Sequence, residues 1–172
     1  PVPPFPVLLE KMNGSDGVLI GPGLGRSRKT DVRTLRLIEQ VQPPLVLDAD
    51  CINALEGHID VLYSRSGRLT GLTPHDGEFR RLAGHLPGAD RGAEALAFAR
   101  KYRCILVLKG HRTVVAAPDG QVYENTTGNH GMAKGGSGDA LAGLILSLLG
   151  QGMEPVQAAA AGVWIHGRAG DR

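Results

Sequence analysis

The stretch Gly128-Asn129-His130-Gly131-Met132-Ala133-Lys134-Gly135-Gly136-Ser137-Gly138-Asp139 carries the residues best suited to chemistry. Five glycines fall within its twelve positions, and the run closes on one carboxylate just before the apolar segment Ala140 to Leu149. Glycine admits positive φ and puts no Cβ between the backbone and a ligand. Where such a loop opens a helix, the free N–H groups of the first turn and the helix dipole attract an anion. Asp139 falls in that turn, so a phosphate and an ionised carboxylate would share one small space. The pairing suits a base that takes a proton from a hydroxyl as it attacks a phosphoryl group. The same residues also read as an ordinary turn whose Asp caps a helix. Lys134 precedes the glycine pair and no Gly-Lys-Ser/Thr follows, which excludes a Walker A loop. The run does not follow a strand in a βαβ unit, which excludes a dinucleotide fingerprint.

The elements that must position this loop alternate. A short helix is expected between residues 7 and 16, then a buried strand Gly17 to Ile20 ending in Gly21-Pro22-Gly23-Leu24-Gly25. Thr30 caps a helix through Val32, Leu35, Ile38 and Val41, at helical spacing. Leu45 to Leu47 forms a second strand that ends in Asp48-Ala49-Asp50, with a short helix at Ile52, Ala54 and Leu55 behind it. Leu69 to Leu72 leads into Thr73-Pro74-His75-Asp76-Gly77-Glu78 and a helix at Phe79 and Leu82. Arg91 to Tyr102 is an amphipathic helix, and Ile105 to Leu108 a fourth strand that stops at Lys109-Gly110-His111-Arg112. Pro118-Asp119-Gly120 turns a hairpin between Thr113–Ala117 and Gln121–Glu124. Helices at Ala140–Leu149 and from Pro155 to about His166 complete the pattern. Strands alternating with helices predict an α/β fold, a mostly parallel sheet with helices on both faces. All four apolar strands stop in a glycine turn or a polar cluster. Ligands of open α/β sheets bind outside the carboxyl ends of the strands, so these clusters should line one edge with the glycine loop closing over them.

Composition narrows the function. The 172 residues suffice for one domain with a core of its own. Nineteen basic and 17 acidic residues, net +2, are scattered without a basic block or basic-aromatic stripe, so nucleic acid is not an expected partner. Of the two cysteines, Cys104 sits in an apolar run and packs as a small hydrophobe, while Cys51 borders a polar loop and could be half-exposed. Neither belongs to a zinc or redox spacing. Trp164 is expected in the core; His130 and His166 are read as structural or exposed. No signal peptide or membrane-length run is read, so a reducing cytoplasm and no membrane partner are expected.

Taken together, Gly21-Pro22-Gly23-Leu24-Gly25, Asp48-Ala49-Asp50 with Asn53-Ala54-Leu55, Thr73-Pro74-His75-x-Gly77-Glu78, Lys109-Gly110 and the Gly-Gly-Ser-Gly-Asp loop resemble, in order, the ADP- or ATP-dependent NAD(P)H-hydrate dehydratases of the ribokinase-like superfamily. The resemblance implies a three-layer α/β/α fold and a repair reaction. A phosphoryl group passes from ADP or ATP to the hydroxyl of hydrated NADH or NADPH, and phosphate elimination restores the cofactor. On this resemblance Asp139 is the base, and the amides around Gly136, Ser137 and Gly138 hold the transferring phosphate. Gly138 and the segment Lys109, Gly110, His111, Arg112 and Thr113 border the nucleotide. Gly25, His75, Asp48 and Asn53 border the hydrated cofactor, and Glu78 organises Mg²⁺ through water. His75 could instead cap its helix, Asp48 and Asp50 could cap the helix at Ile52, Glu78 could be solvated, and Lys109 could be a solvent-facing strand end. A small-molecule hydroxyl kinase and a fragment that only binds nucleotide remain alternatives.

The sequence departs from the family pattern at Asp76, His130 and Lys134. The resembling domain also has strands before Val18 and a helix after Asp171, so the chain reads as one domain cut at both ends. Homo-oligomers, tetramers in particular, are implied by the family.

Overall fold

The computed structural model describes residues 3–172. Four parallel strands, β1 (Val18–Ile20), β2 (Leu45–Leu47), β3 (Thr70–Leu72) and β4 (Ile105–Leu108), lie side by side in chain order. The antiparallel strands β5 (Val114–Ala116) and β6 (Val122–Glu124) extend the sheet at the β4 side. Because the order never reverses, right-handed crossovers put every connecting helix on the same face. These are α2 (Arg28–Gln40), α3 (Asp50–Ala54), α4 (Asp76–Ala83) and α5 (Arg91–Tyr102), and α1 (Phe5–Asn13) packs on that side too. The opposite face is left to α6 (Ser137–Gly150) and α7 (Pro155–Gly170), which follow the hairpin.

The pleat sorts one apolar run into two cores. Leu106 and Leu108 join Leu47, Leu72, Ile38 and Phe79 beneath the crossover helices, while Ile105 and Val107 join Val46, Ile145 and Val163 beneath α6 and α7. Successive side chains of a strand point to opposite faces, so unbroken hydrophobic strands require cover on both. The three-layer α/β/α arrangement follows. The layer of α6 and α7 is tight because Gly162 lets the helices approach; a Cβ there would stand 2.7 Å from Ile145 Cγ1.

Several boundaries differ from the sequence reading for local reasons. Ser27, not Thr30, caps α2: its Oγ accepts the Thr30 N–H at 3.1 Å. Helix α1 starts at Phe5 because Pro6 stands in its first turn, where a missing N–H costs nothing. Helix α6 begins at Ser137 and α7 continues to Gly170. Cys51 is fully buried, and burial pushes its thiol well above the ordinary range; Cys104, equally enclosed, is raised to about 12. Trp164 is not core: it is 54% exposed, one position past Val163 and so off the buried stripe of α7. Among the described residues no helix is long and apolar enough to cross a membrane.

One buried cation braces the amino ends of the strands. Arg65 is 2% exposed and donates to Thr70 Oγ1 at 2.8 Å and to the carbonyls of Ile38, Val41, Pro43 and Leu69. Desolvation, with Arg68 adding repulsion, lowers its pKa to about 10, still charged at neutral pH. Replacing Arg65 by Met removes the donor to Thr70 Oγ1 and to the Ile38 and Pro43 carbonyls, whereas Val41 keeps Arg68 and Leu69 keeps the Leu45 N–H. The expected loss is about 3–5 kcal/mol of stability, read as a lowered urea midpoint.

Candidate active site

The sheet register builds the site floor. Ile20, Leu47 and Leu72 lie in a row, so Gly21, Asp48 and Thr73 emerge together, and β4 runs on until Lys109 bridges to His75. Asp48 is 1% exposed. Its Oδ1 accepts from Thr73 Oγ1 at 2.7 Å and from Lys109 Nζ at 2.9 Å, while Oδ2 is buried with no partner. A buried carboxylate is tolerated only when paired and hydrogen-bonded, so Lys109 is held here and is no solvent-facing strand end. Gly21 permits the arrangement: at φ +141°, a Cβ would fall 1.6 Å from the Asp48 carbonyl oxygen. Ala49 takes φ +49°, a strained non-glycine conformation, and the chain turns there between the two aspartates. Neither Asp48 nor Asp50 caps α3. Asp50 instead accepts the Gly25 N–H at 2.9 Å and ties the first glycine turn to the second strand end.

His75 both caps its helix and faces the site. Its Nδ1 accepts from the N–H groups of Gly77 and Glu78 at 3.0 and 3.3 Å, and Glu78 Oε2 accepts the His75 N–H at 2.9 Å. This is a reciprocal capping box. With Nδ1 accepting, the neutral ring carries its proton on Nε2, 3.5 Å from Glu78 Oε1. Glu78 is 5% exposed, not solvated.

The glycine loop lands on this floor. Gly136 at φ +86° precedes the first turn of α6, where Ser137, Gly138 and Asp139 follow one another. A Cβ on Gly138 would stand 3.2 Å from Lys109 Nζ and 3.9 Å from Asp48 Oδ2. The positive end of a fourteen-residue helix therefore rests on the strand-end ammonium, and Asp139 is exposed beside it. Helix α7 holds the loop from behind. Ser137 Oγ lies 3.3 Å from His166 Nε2, and Asp171 accepts the Gly128 N–H at 3.0 Å. That N–H, then the Asn129 amide, holds the Asp171 carboxyl below its usual range.

Between these parts lies a cavity of about 620 Å³. Of the residues the sequence singled out, His75, Lys109, Gly110, His111, Thr113, Ser137 and Gly138 line it. Asp48, Gly25, Asn53, Glu78, Gly136 and Asp139 do not; Asp48 and Glu78 lie beneath it, and Asp139 stands in the turn that holds Ser137 and Gly138. Arg112 does not line it either: it pairs with Glu124 of the hairpin at 2.7 Å. Asn53 is half-buried, its Oδ1 without a partner. Sequence reasoning missed His130 and His166, which line the same cavity as Lys134. The lining holds two lysines and four histidines and no carboxylate. The two ammonium groups give this wall a positive potential.

The family model described as NAD(P)H-hydrate dehydratase matches residues 4–172. The chain belongs to this family. It is 49% identical over 167 residues to the bifunctional NAD(P)H-hydrate repair enzyme Nnr of Moorella thermoacetica, covering 95% of this chain and 31% of that protein. It is 41% identical over 169 residues to the ADP-dependent (S)-NAD(P)H-hydrate dehydratase of Neisseria meningitidis, covering 95% and 57%. The chain thus spans about a third to over half the length of these relatives. Among solved structures it resembles the ADP/ATP-dependent NAD(P)H-hydrate dehydratase of Bacillus subtilis co-crystallised with ATP/Mg²⁺. That match has a TM-score of 0.73 at 31% identity and covers 92% of this chain and 58% of that one. The sheet and its two helical layers are the ribokinase-like fold.

The buried carboxylate of Glu78 is engaged within the chain. Both Glu78 oxygens face His75, Oε2 is also 3.8 Å from Lys109 Nζ, and among the described residues no group of three His, Cys, Asp or Glu could hold an ion.

Two measurements check this geometry. Lys109→Met strands the Asp48 carboxylate, with an expected cost of about 3 kcal/mol, and adding Asp48→Asn restores most of it in a urea double-mutant cycle. Burial lowers the pKa of His166 from its ordinary 6.5, the contact with Ser137 opposing. The unfolded chain then binds the proton more readily, so stability is full above the ordinary histidine pKa and falls as pH drops below it. His166→Gln should flatten that fall in unfolding midpoints measured across the histidine range.

Proposed function

We propose that this chain performs the nucleotide-driven dehydration of hydrated NADH or NADPH, a carbon–oxygen lyase reaction that repairs the cofactor. The observation that carries the reading is the contact of Gly138 with the Lys109–Asp48 pair, which sets an anion-binding helix end over a fixed ammonium.

The transferring phosphoryl group of ADP or ATP lies at the amides of Gly136, Ser137 and Gly138. Lys109 neutralises charge as it develops there, and such preorganised donors carry much of the catalysis in phosphoryl transfer. Asp139, exposed in the same turn as Ser137 and Gly138, accepts the proton of the ring hydroxyl as that oxygen attacks. Elimination of phosphate from the phosphorylated intermediate then restores the nicotinamide double bond. The nucleotide lies along Gly110, His111 and Thr113, with Arg112 outside the cavity and engaged by Glu124. Gly25, His75 and Asn53 face the hydrated ring. The near-complete burial of Asp48 supports a different part for it, holding Lys109 rather than touching substrate. Mg²⁺ is expected to arrive with the nucleotide phosphates, the habit of an ion that keeps its waters and few protein ligands. A cytoplasmic setting and a homo-oligomer belong to the same reading, the latter supported by Trp164 and Ile165 exposed side by side on α7.

The test is recovery of reduced-nicotinamide absorbance from hydrated NADH or NADPH with Mg²⁺ and ADP or ATP. Asp139→Asn should slow it about 10²–10⁴-fold, the contribution of a positioned base. A phosphorylated product that accumulates without releasing phosphate would replace this reading with a small-molecule kinase. Nucleotide affinity with no turnover on any hydrate would reduce the chain to a nucleotide-binding unit.

A further inference from the structure

Arg91 is the first residue of α5, behind the N-cap Asp90. A cation there opposes the helix dipole, so its place calls for another cause. Its Nη1 donates to Asp76 Oδ1 at 2.8 Å, and its Nη2 donates to the carbonyls of Lys109 and Leu108 at 3.0 and 3.4 Å. One guanidinium thus ties the residue after His75 to the end of β4. The Lys109 N–H is held from the other side by the Pro74 carbonyl at 2.8 Å. The Lys109–Gly110 segment lies so close to the guanidinium that a Cβ on Gly110 would stand 2.7 Å from Nη2. Both backbone groups of Lys109 are therefore pinned, and its side chain reaches Asp48 and Gly138 from a fixed origin.

We propose that Arg91 is a positioning residue for the phosphate-binding half of the site. It acts through Lys109, and Asp76 balances its charge. A planar fork can hold the Asp76 carboxylate and the strand-end carbonyls at once; a lysine ammonium is a point charge and cannot span both. The surface pair alone, half-exposed at Asp76, would contribute little. The carbonyl contacts carry the effect. Asp76, where this sequence departs from the family pattern, adds orientation to the guanidinium rather than contact with any ligand.

The inference rests on the nucleotide reading of the cavity, and direct titration of ADP and of ATP separates the two. Arg91→Gln should weaken nucleotide binding about tenfold, the scale of one lost charge-assisted hydrogen bond. The KM for the hydrated cofactor should move by no more than about twofold, because residues acting through separate sites do not couple. Asp76→Asn, which keeps the carbonyl contacts, should show a smaller loss. In an Asp48→Asn/Lys109→Met background Arg91→Gln should no longer change nucleotide affinity, since its effect runs through Lys109. Equal binding by Arg91→Gln and wild type, or an undiminished effect in that background, overturns the proposal. If Arg91→Gln does not fold, Arg91→Lys carries the same comparison. Wild-type chain that binds neither nucleotide overturns this inference together with the cavity reading. Wild-type chain that binds nucleotide but leaves the hydrate untouched overturns only the dehydratase reading, and the Arg91 comparison still decides.

Discussion

Everything at the mouth of the sheet depends on one buried carboxylate. Asp48 sits at the carboxyl end of β2 with almost no access to water, and an ion in that position is stable only while Thr73 and Lys109 hold it. The constraint runs outward. Lys109 cannot swing into solvent, so its ammonium marks a fixed positive point. Gly21 must lack a side chain because the Asp48 carbonyl occupies the space. The turn at Ala49 accepts backbone strain while Asp48 points inward and Asp50 is left free to hold Gly25.

The second half of the site is built from what lacks side chains. Gly138 brings the first turn of α6 against Lys109 and Asp48, closer than any larger residue could without displacing them. Two sources of positive potential, helix end and ammonium, then face one cavity whose wall carries no carboxylate. Neither alone would be a specific site. Their convergence on one point sets Asp139 beside the cavity, in the turn that holds Ser137 and Gly138. Helix α7 braces the loop, through His166 at Ser137 and Asp171 at Gly128.

Several residues serve structure and site together. His75 caps α4 and lines the cavity, and the cap decides which ring nitrogen carries the proton. Glu78 closes the capping box and stands near Lys109, so its carboxylate links the start of α4 to the end of β4. At His75 the cap and a place on the cavity wall coexist, although the sequence posed cap and site as alternatives.

The sequence by itself determined the layers and the edge that matters. Unbroken apolar runs such as Ile105 to Leu108 demand cover on both faces, and polar clusters at the ends of successive strands mark one rim, because these follow from local periodicity and composition. It also determined the helix that Asp139 enters, since five glycines before an apolar run leave little other choice. Only the tertiary structure decided which polar residues are partners. That Asp48 is buried rather than capping, that Arg112 turns to the hairpin, that Trp164 lies outside the core and that His130 and His166 reach the cavity all depend on contacts between segments distant in sequence. Arg91 is the clearest case. Its type and position say only that a cation opens a helix at the wrong end of the dipole, and its reach to Asp76 and Lys109 exists only once α5 has packed against the sheet. Periodicity is a property of neighbours along the chain, whereas a charge's partner is chosen by desolvation in the folded state.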